Sequence, residues 1–122
     1  MFFTHHSEVD KWAWPHFSPR EIACRGTGEI VVVPDAIEAL ERARVSVGLP
    51  FQINSAYRSR LHNAAVGGAP RSRHKMGDAF DIALNGHNKD ELVAACVAAG
   101  FTGFGLTYKT FLHVDCGRAR TW

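Results

Sequence analysis

The sequence predicts an α+β fold, a single small domain in which helices flank an antiparallel sheet. Three observations carry this reading. Helix start and stop signals recur at Ser18-Pro19-Arg20-Glu21, at Pro34-Asp35 up to Gly48, and at Asn88 up to Gly100. Short segments of strand character lie between and after them, at 51–55, 79–84, 101–106 and 110–115. The last two follow one another so closely that they read as a hairpin, and helices mixed with hairpins build antiparallel sheets. A chain of 122 residues has room for one core.

Residues 1–16 read as an irregular N-terminal arm, and 17–122 as the domain proper. Trp12 and Trp14 pack the arm against the domain or line a groove for a glycan. Ser18 is placed to cap a short helix, with Pro19 at its first position and Glu21 closing a capping box. Val33-Pro34-Asp35 opens the next helix, which runs to about Val47, with Ile37, Leu40, Arg44 and Val47 on one imperfect apolar face. A strand at 51–55 leads to a short helix at 58–65, and Gly67, Gly68 and Pro70 mark a loop. From 79 to 84 the chain alternates, with Phe80, Ile82 and Leu84 on one face and Ala79, Asp81 and Ala83 on the other. Asn88 and Glu91 open a helix that Gly100 closes. In the final strand, Phe111, His113 and Asp115 share a face opposite Leu112 and Val114.

Composition narrows the function classes. The 14 Lys and Arg against 12 Asp and Glu leave a net charge of +2, too little for a dedicated nucleic-acid binder. A hydrophobic fraction of 46% with 21% charged residues argues for a globular chain over a disordered one. The apolar run from Leu92 to Ala99 is too short to span a bilayer, so no stable membrane insertion is expected. Three cysteines without a C-x-x-C pair exclude the common four-cysteine zinc modules. Cys96 reads as a core residue, and Cys24 and Cys116 can pair only where the fold brings them together.

Chemistry concentrates in Ser72-Arg73-His74-Lys75-Met76-Gly77-Asp78-Ala79-Phe80-Asp81. A carboxylate inside a small apolar strand is costly to bury unless it is paired or bound to a metal. His113 has the same character, a polar residue within an aromatic-rich strand. Brought together, two His and one Asp give an N/N/O donor set that suits Zn²⁺ with one position left open, the arrangement of catalytic zinc; the other reading of a His and an Asp so far apart is that they are unrelated. The other histidines, His5, His6, His16, His62 and His87, read as solvated or capping groups.

Those residues carry a resemblance. Ser72-x-His74-x-x-Gly77-x-Ala79-x-Asp81 followed by Phe111-Leu112-His113-Val114-Asp115 resembles the zinc D-Ala-D-Ala carboxypeptidase family (peptidase family M-fifteen), which shares a fold with VanX-type dipeptidases and the Hedgehog signalling domain. Phe17 to Cys24, Asn54-Ser55-Ala56-Tyr57-Arg58-Ser59, His62-Asn63, Val66-Gly67-Gly68 and Phe101 to Tyr108 resemble further family segments, so the likeness spans roughly 17–118. The resemblance implies one Zn²⁺ held by His74, Asp81 and His113. It implies that Arg58 lies in the active site, facing a substrate carboxylate or the oxyanion formed on attack. Ser72 hydrogen-bonds within the loop or faces substrate, and Tyr108 contacts substrate or the tetrahedral intermediate.

One position departs from the family pattern. Many members place a Glu or Asp three residues before the last histidine ligand as general base, and here that residue is Thr110. Asp115 is the expected substitute, with orientation of a ligand as its other reading. The resemblance implies a peptidase acting on the stem peptides of bacterial peptidoglycan, of the phage endolysin type. The opening Met1 to His6 lacks the pattern of a secretory signal. The expectation is therefore a monomer made in the cytoplasm that reaches the cell wall by phage release or in a virion. The competing reading is a non-catalytic, zinc-containing wall-binding or structural module. Arg71, Arg73 and Lys75 beside the ligand loop attract anionic wall polymer or are simply solvated.

Overall fold

A computed structural model describes residues 4–122. Thirteen short elements follow one another. The strands are β1 (Thr4–His5), β2 (Glu29–Ile30), β3 (Ile53–Ser55), β4 (Ala79–Ala83), β5 (Gly103–Gly105), β6 (Phe111–Asp115) and β7 (Arg120–Thr121). The α-helices are α1 (Pro19–Ile22), α2 (Pro34–Val47), α3 (Arg60–Ala65) and α4 (Lys89–Ala99), with 3₁₀ turns at His6–Glu8 and Arg73–Met76.

The local signals act as the sequence predicts. The Ser18 side chain accepts from the Glu21 N–H while the Glu21 carboxylate accepts from the Ser18 N–H, a complete capping box. Asn88 caps α4 through its side chain, which accepts from the Glu91 N–H, and Gly100 ends the helix in the left-handed region at φ 114°. Helix α2 begins on Pro34 without a side-chain cap and stops at Gly48, φ 75°. Its buried stripe is Ala36, Ile37, Ala39, Leu40 and Ala43, so alanines replace the expected Arg44 and Val47 and let α4 approach closely. Arg42 of α2 donates to the Ala99 carbonyl at 2.7 Å, satisfying an orphan acceptor at the end of α4.

The main sheet has the order β3-β4-β6-β5-β7. Its central pairs are antiparallel, as expected, but β5 and β7 run parallel. Strand 51–55 is shortened to 53–55 and helix 58–65 to 60–65. In the second case Ser59 serves as N-cap, and the Arg58 N–H is drawn away to the His74 carbonyl at 2.9 Å. The expected arm is partly ordered into sheet structure: β1 pairs antiparallel with β2, and Trp12 donates to the Trp14 and Phe17 carbonyls. Residues 1–3 of that arm lie outside the described residues.

One face of the sheet carries Phe80, Ile82, Leu112 and Val114 into a core completed by α2 and α4. The other face carries Asp81, His113 and Asp115, and these are buried too. All five residues of β4 are buried, so its alternation separates two kinds of interior rather than core from solvent. All three cysteines are free, with no Cys24–Cys116 bridge. Among the described residues, no helix is long and apolar enough to cross a membrane.

Candidate metal centre

Register brings the first two polar groups together. Asp81 of β4 lies directly opposite His113 of β6, and a carboxylate oxygen of Asp81 sits 3.0 Å from His113 Nδ1. His74 arrives from the 3₁₀ turn, whose geometry its neighbours impose. The Ser72 hydroxyl accepts from the His74 N–H at 3.2 Å. Gly77 closes the turn at φ 83°, and a Cβ there would come within 3.0–3.1 Å of Val31. Glycine is thus required both for the left-handed backbone and for the close approach.

The rear atoms of both rings are committed. His74 Nδ1 is 2.7 Å from the Ala56 carbonyl, which only accepts, so Nδ1 donates there, and Nε2 lies 3.2 Å from Asp81 Oδ1. His113 Nε2 is 2.7 Å from an Asp115 oxygen, which fixes the proton there and turns Nδ1 inward. Burial pushes the Asp81 carboxyl up, but hydrogen bonds from His113 and His74 and their charges outweigh it and hold it at about 2. One ligand atom from each of the three residues lies within 4.8 Å of the others, close enough to ligate a single metal ion. Burial lowers the pKa of His113, but hydrogen bonds and charge from Asp115 and Asp81 more than compensate and raise it. Two imidazole nitrogens and one carboxylate, each oriented by a neighbour behind it or beside it, fit a zinc ion.

Arg58 stands beside this group. Its guanidinium donates to Asn63 Oδ1 at 2.9 Å and Ser55 Oγ at 3.2 Å, and lies 4.0 Å from the second Asp81 oxygen. Asn63 is itself buried and tied to the Ala69 carbonyl. Gly68 leaves the space for both, since a Cβ there would fall 2.2 Å from Asn63 Oδ1 and 2.7 Å from Arg58 Nη1. The guanidinium is thereby preset by neutral partners, at ion-pair distance from Asp81 and lining the cleft. That cleft, about 340 Å³, opens over His74, Asp81 and His113, with Arg58, Tyr108 and Trp122 in its walls.

The remaining expected residues divide. Ser72 lines the cleft and caps the ligand turn. Tyr108 lies at the rim, 37% exposed, stacked on Phe111 with ring centroids 4.3 Å apart. Asp115 lies behind His113, away from the cleft, and is 0% exposed. One oxygen accepts from His113 and Arg120, the other from Arg120 and the Gly117 N–H, all at 2.7–2.9 Å. Burial raises this carboxyl, yet His113 and Arg120 hold it well below the usual carboxylate range. Of the two readings expected for Asp115, this geometry is that of a residue orienting His113, with neither exposure nor a spare lone pair directed at the cleft. Thr110 is exposed, and among the described residues lining the cleft Asp81 is the one carboxylate.

Sequence reasoning overlooks Arg120, Trp122 and Asn63. Asn63 carries a signal, as His62-Asn63 is one of the family-like segments; Arg120 and Trp122 lie past the last recognisable strand pattern.

No curated protein matches the chain. Residues 15–115 match the sequence profile of the family Peptidase M15, a span that takes in His74, Asp81 and His113. With most of its length matched, the chain belongs to the Peptidase M15 family of metallopeptidases.

Proposed function

We propose that this protein is a zinc-dependent peptidase that hydrolyses peptide bonds in the stem peptides of bacterial peptidoglycan. The observation that carries the reading is the buried trio of inward-facing acceptors, His74 Nε2, Asp81 Oδ1 and His113 Nδ1, beneath an open cleft. His74, Asp81 and His113 would hold one Zn²⁺, which would supply Lewis acidity to a scissile carbonyl and an attacking water. Arg58, preset by Asn63 and Ser55, meets the developing oxyanion or a substrate carboxylate with a fixed cationic fork. Tyr108 and Ser72 border the place where substrate lies, with Ser72 also maintaining the turn that carries His74. Asp115 is a positioning residue, accepting from His113 Nε2 so that Nδ1 faces inward.

The biological setting we propose is that of a monomeric phage or prophage lysin acting at the cell wall. It rests on the resemblance to endolysin-type members of the family. A second reading, a zinc-containing wall-binding module without catalysis, draws on one observation: no carboxylate besides Asp81 lines the cleft among the described residues.

One experiment separates the two. Purified peptidoglycan is incubated with the zinc-loaded protein, with and without chelator, and the soluble products are identified by mass spectrometry. Peptidase action releases new amino termini that chelator suppresses, and the fragment masses identify the bond. Intact stems together with co-sedimentation of protein and wall would leave only the binding module.

A further inference from the structure

We infer that the last strand of the sheet belongs to the working site: Arg120 and Trp122 are positioning residues that hold His113 in one tautomer and one ring orientation. The inference rests on the metal-site reading above and extends it to a segment beyond residues 15–115, the part matched by the family profile.

It begins with two glycines. In β5, Gly105 lies opposite His113 and Gly103 opposite Asp115. A Cβ at Gly103 would fall 2.1 Å from Asp115 Oδ1 and 2.4 Å from Arg120 Nη1. A Cβ at Gly105 would fall 2.8 Å from the Tyr108 ring and 3.0 Å from both His113 and Trp122. The cleft-side face of β5 is bare, and side chains from the neighbouring strands close over it. The parallel pairing Gly103↔Arg120 and the Trp122 N–H to Phe104 carbonyl bond at 2.9 Å set Arg120 and Trp122 two residues apart, both reaching across that face.

What they form is a closed ring of contacts. His113 donates to Asp115; Arg120 grips both Asp115 oxygens at 2.8 Å; the Arg120 guanidinium lies 4.8 Å from the Trp122 ring centroid; and the Trp122 ring packs on His113 at 4.9 Å. Trp122 is fixed in turn by its indole N–H, which donates to the Tyr108 hydroxyl at 3.0 Å. Arg120 holds the Asp115 carboxylate turned so that it accepts from His113 Nε2 and leaves Nδ1 facing inward. Trp122 blocks rotation of the imidazole on its open side. Groups that orient a ligand in this way typically contribute 10–100-fold to metal affinity.

A strand that merely stapled the sheet edge would affect melting and leave the metal affinity of the folded protein unchanged. The test therefore measures zinc affinity by competition with a chromophoric chelator, the absorption spectrum of the Co²⁺-substituted protein, and melting of the metal-free protein. The variants are Arg120→Gln, Arg120→Lys, Trp122→Ala and Trp122→Phe. We expect Arg120→Gln and Trp122→Ala to weaken zinc binding by about 10–100-fold and to alter the Co²⁺ spectrum. Trp122→Phe, which keeps a ring against His113, should recover most of that loss. Arg120→Lys, which keeps the charge but not the fork, should fall between. Wild-type affinity and spectrum in folded Arg120→Gln and Trp122→Ala, or in folded Arg120→Lys and Trp122→Ala where Arg120→Gln does not fold, would overturn the inference. Failure of the underlying reading looks different: the wild-type protein itself would then bind no zinc, or bind it equally well after His74→Ala.

Discussion

The two faces of the central sheet are built from the same strands and solve opposite problems. On one, Phe80, Ile82, Leu112 and Val114 meet α2 and α4, and stability comes from hydrocarbon removed from water. Any single contact there is one of many, and the packing is collective. On the other, Asp81, His113 and Asp115 are buried as well, yet each depends on named partners at hydrogen-bond distance. The first face tolerates substitutions of similar size and shape. The second tolerates almost none, because a buried polar group that loses its partner retains the full desolvation cost. The period of two residues in β4 and β6 distributes side chains between these two regimes, one for folding and one for chemistry.

Substitutions on the two faces should therefore separate activity from stability. The largest effect is expected from the metal trio: His74→Ala should lower peptidase activity by ~10³-fold or more, since Lewis-acid stabilisation contributes several kcal/mol. Turnover of stem peptides by zinc-equilibrated variant and parent checks this. On the opposite face, Leu112→Ala should destabilise by about 2–5 kcal/mol in denaturant unfolding, while zinc affinity of the folded fraction stays at the parent value. Asp115→Asn, returning to the cleft face, should weaken zinc binding by about 10–100-fold, measurable by chelator competition. Remote from both, Ser18→Ala removes one cap and should cost about 1 kcal/mol, with unchanged kcat/KM. The smallest effect is expected at exposed Thr110, where substitution by Ala should shift stability by less than about 0.5 kcal/mol. Activity should also remain at the parental level; a large loss there would show a catalytic role at position 110 despite a threonine standing where the family pattern has a carboxylate.

How much of this the sequence makes legible also follows the two faces. Caps such as Ser18–Glu21 and Asn88–Glu91 are local and can be read directly. Asp81 and His113 stand out as polar residues in otherwise apolar strands, but that they join His74 in one donor set is what the family resemblance implies, since residue types and spacing alone leave them as unrelated groups. The role of Asp115 is not, because base and positioning residue occupy the same face of the same strand. What distinguishes them is Arg120, five residues on, whose grip depends on β7 returning parallel to β5. Residues Gly117 to Trp122 show no apolar alternation, so neither β7 nor its side chains can be found from pattern alone. The two-residue β1 and β2 escape for the same reason. The limit is long-range geometry rather than residue chemistry.

The central claim is that a metal sits between His74, Asp81 and His113. Anomalous diffraction at the zinc edge from crystals of the zinc-loaded protein tests it most directly. The account predicts one strong peak within bonding distance of His74 Nε2, Asp81 Oδ1 and His113 Nδ1. A featureless map at that point, or a single peak on other histidines such as His5 and His6, would contradict it.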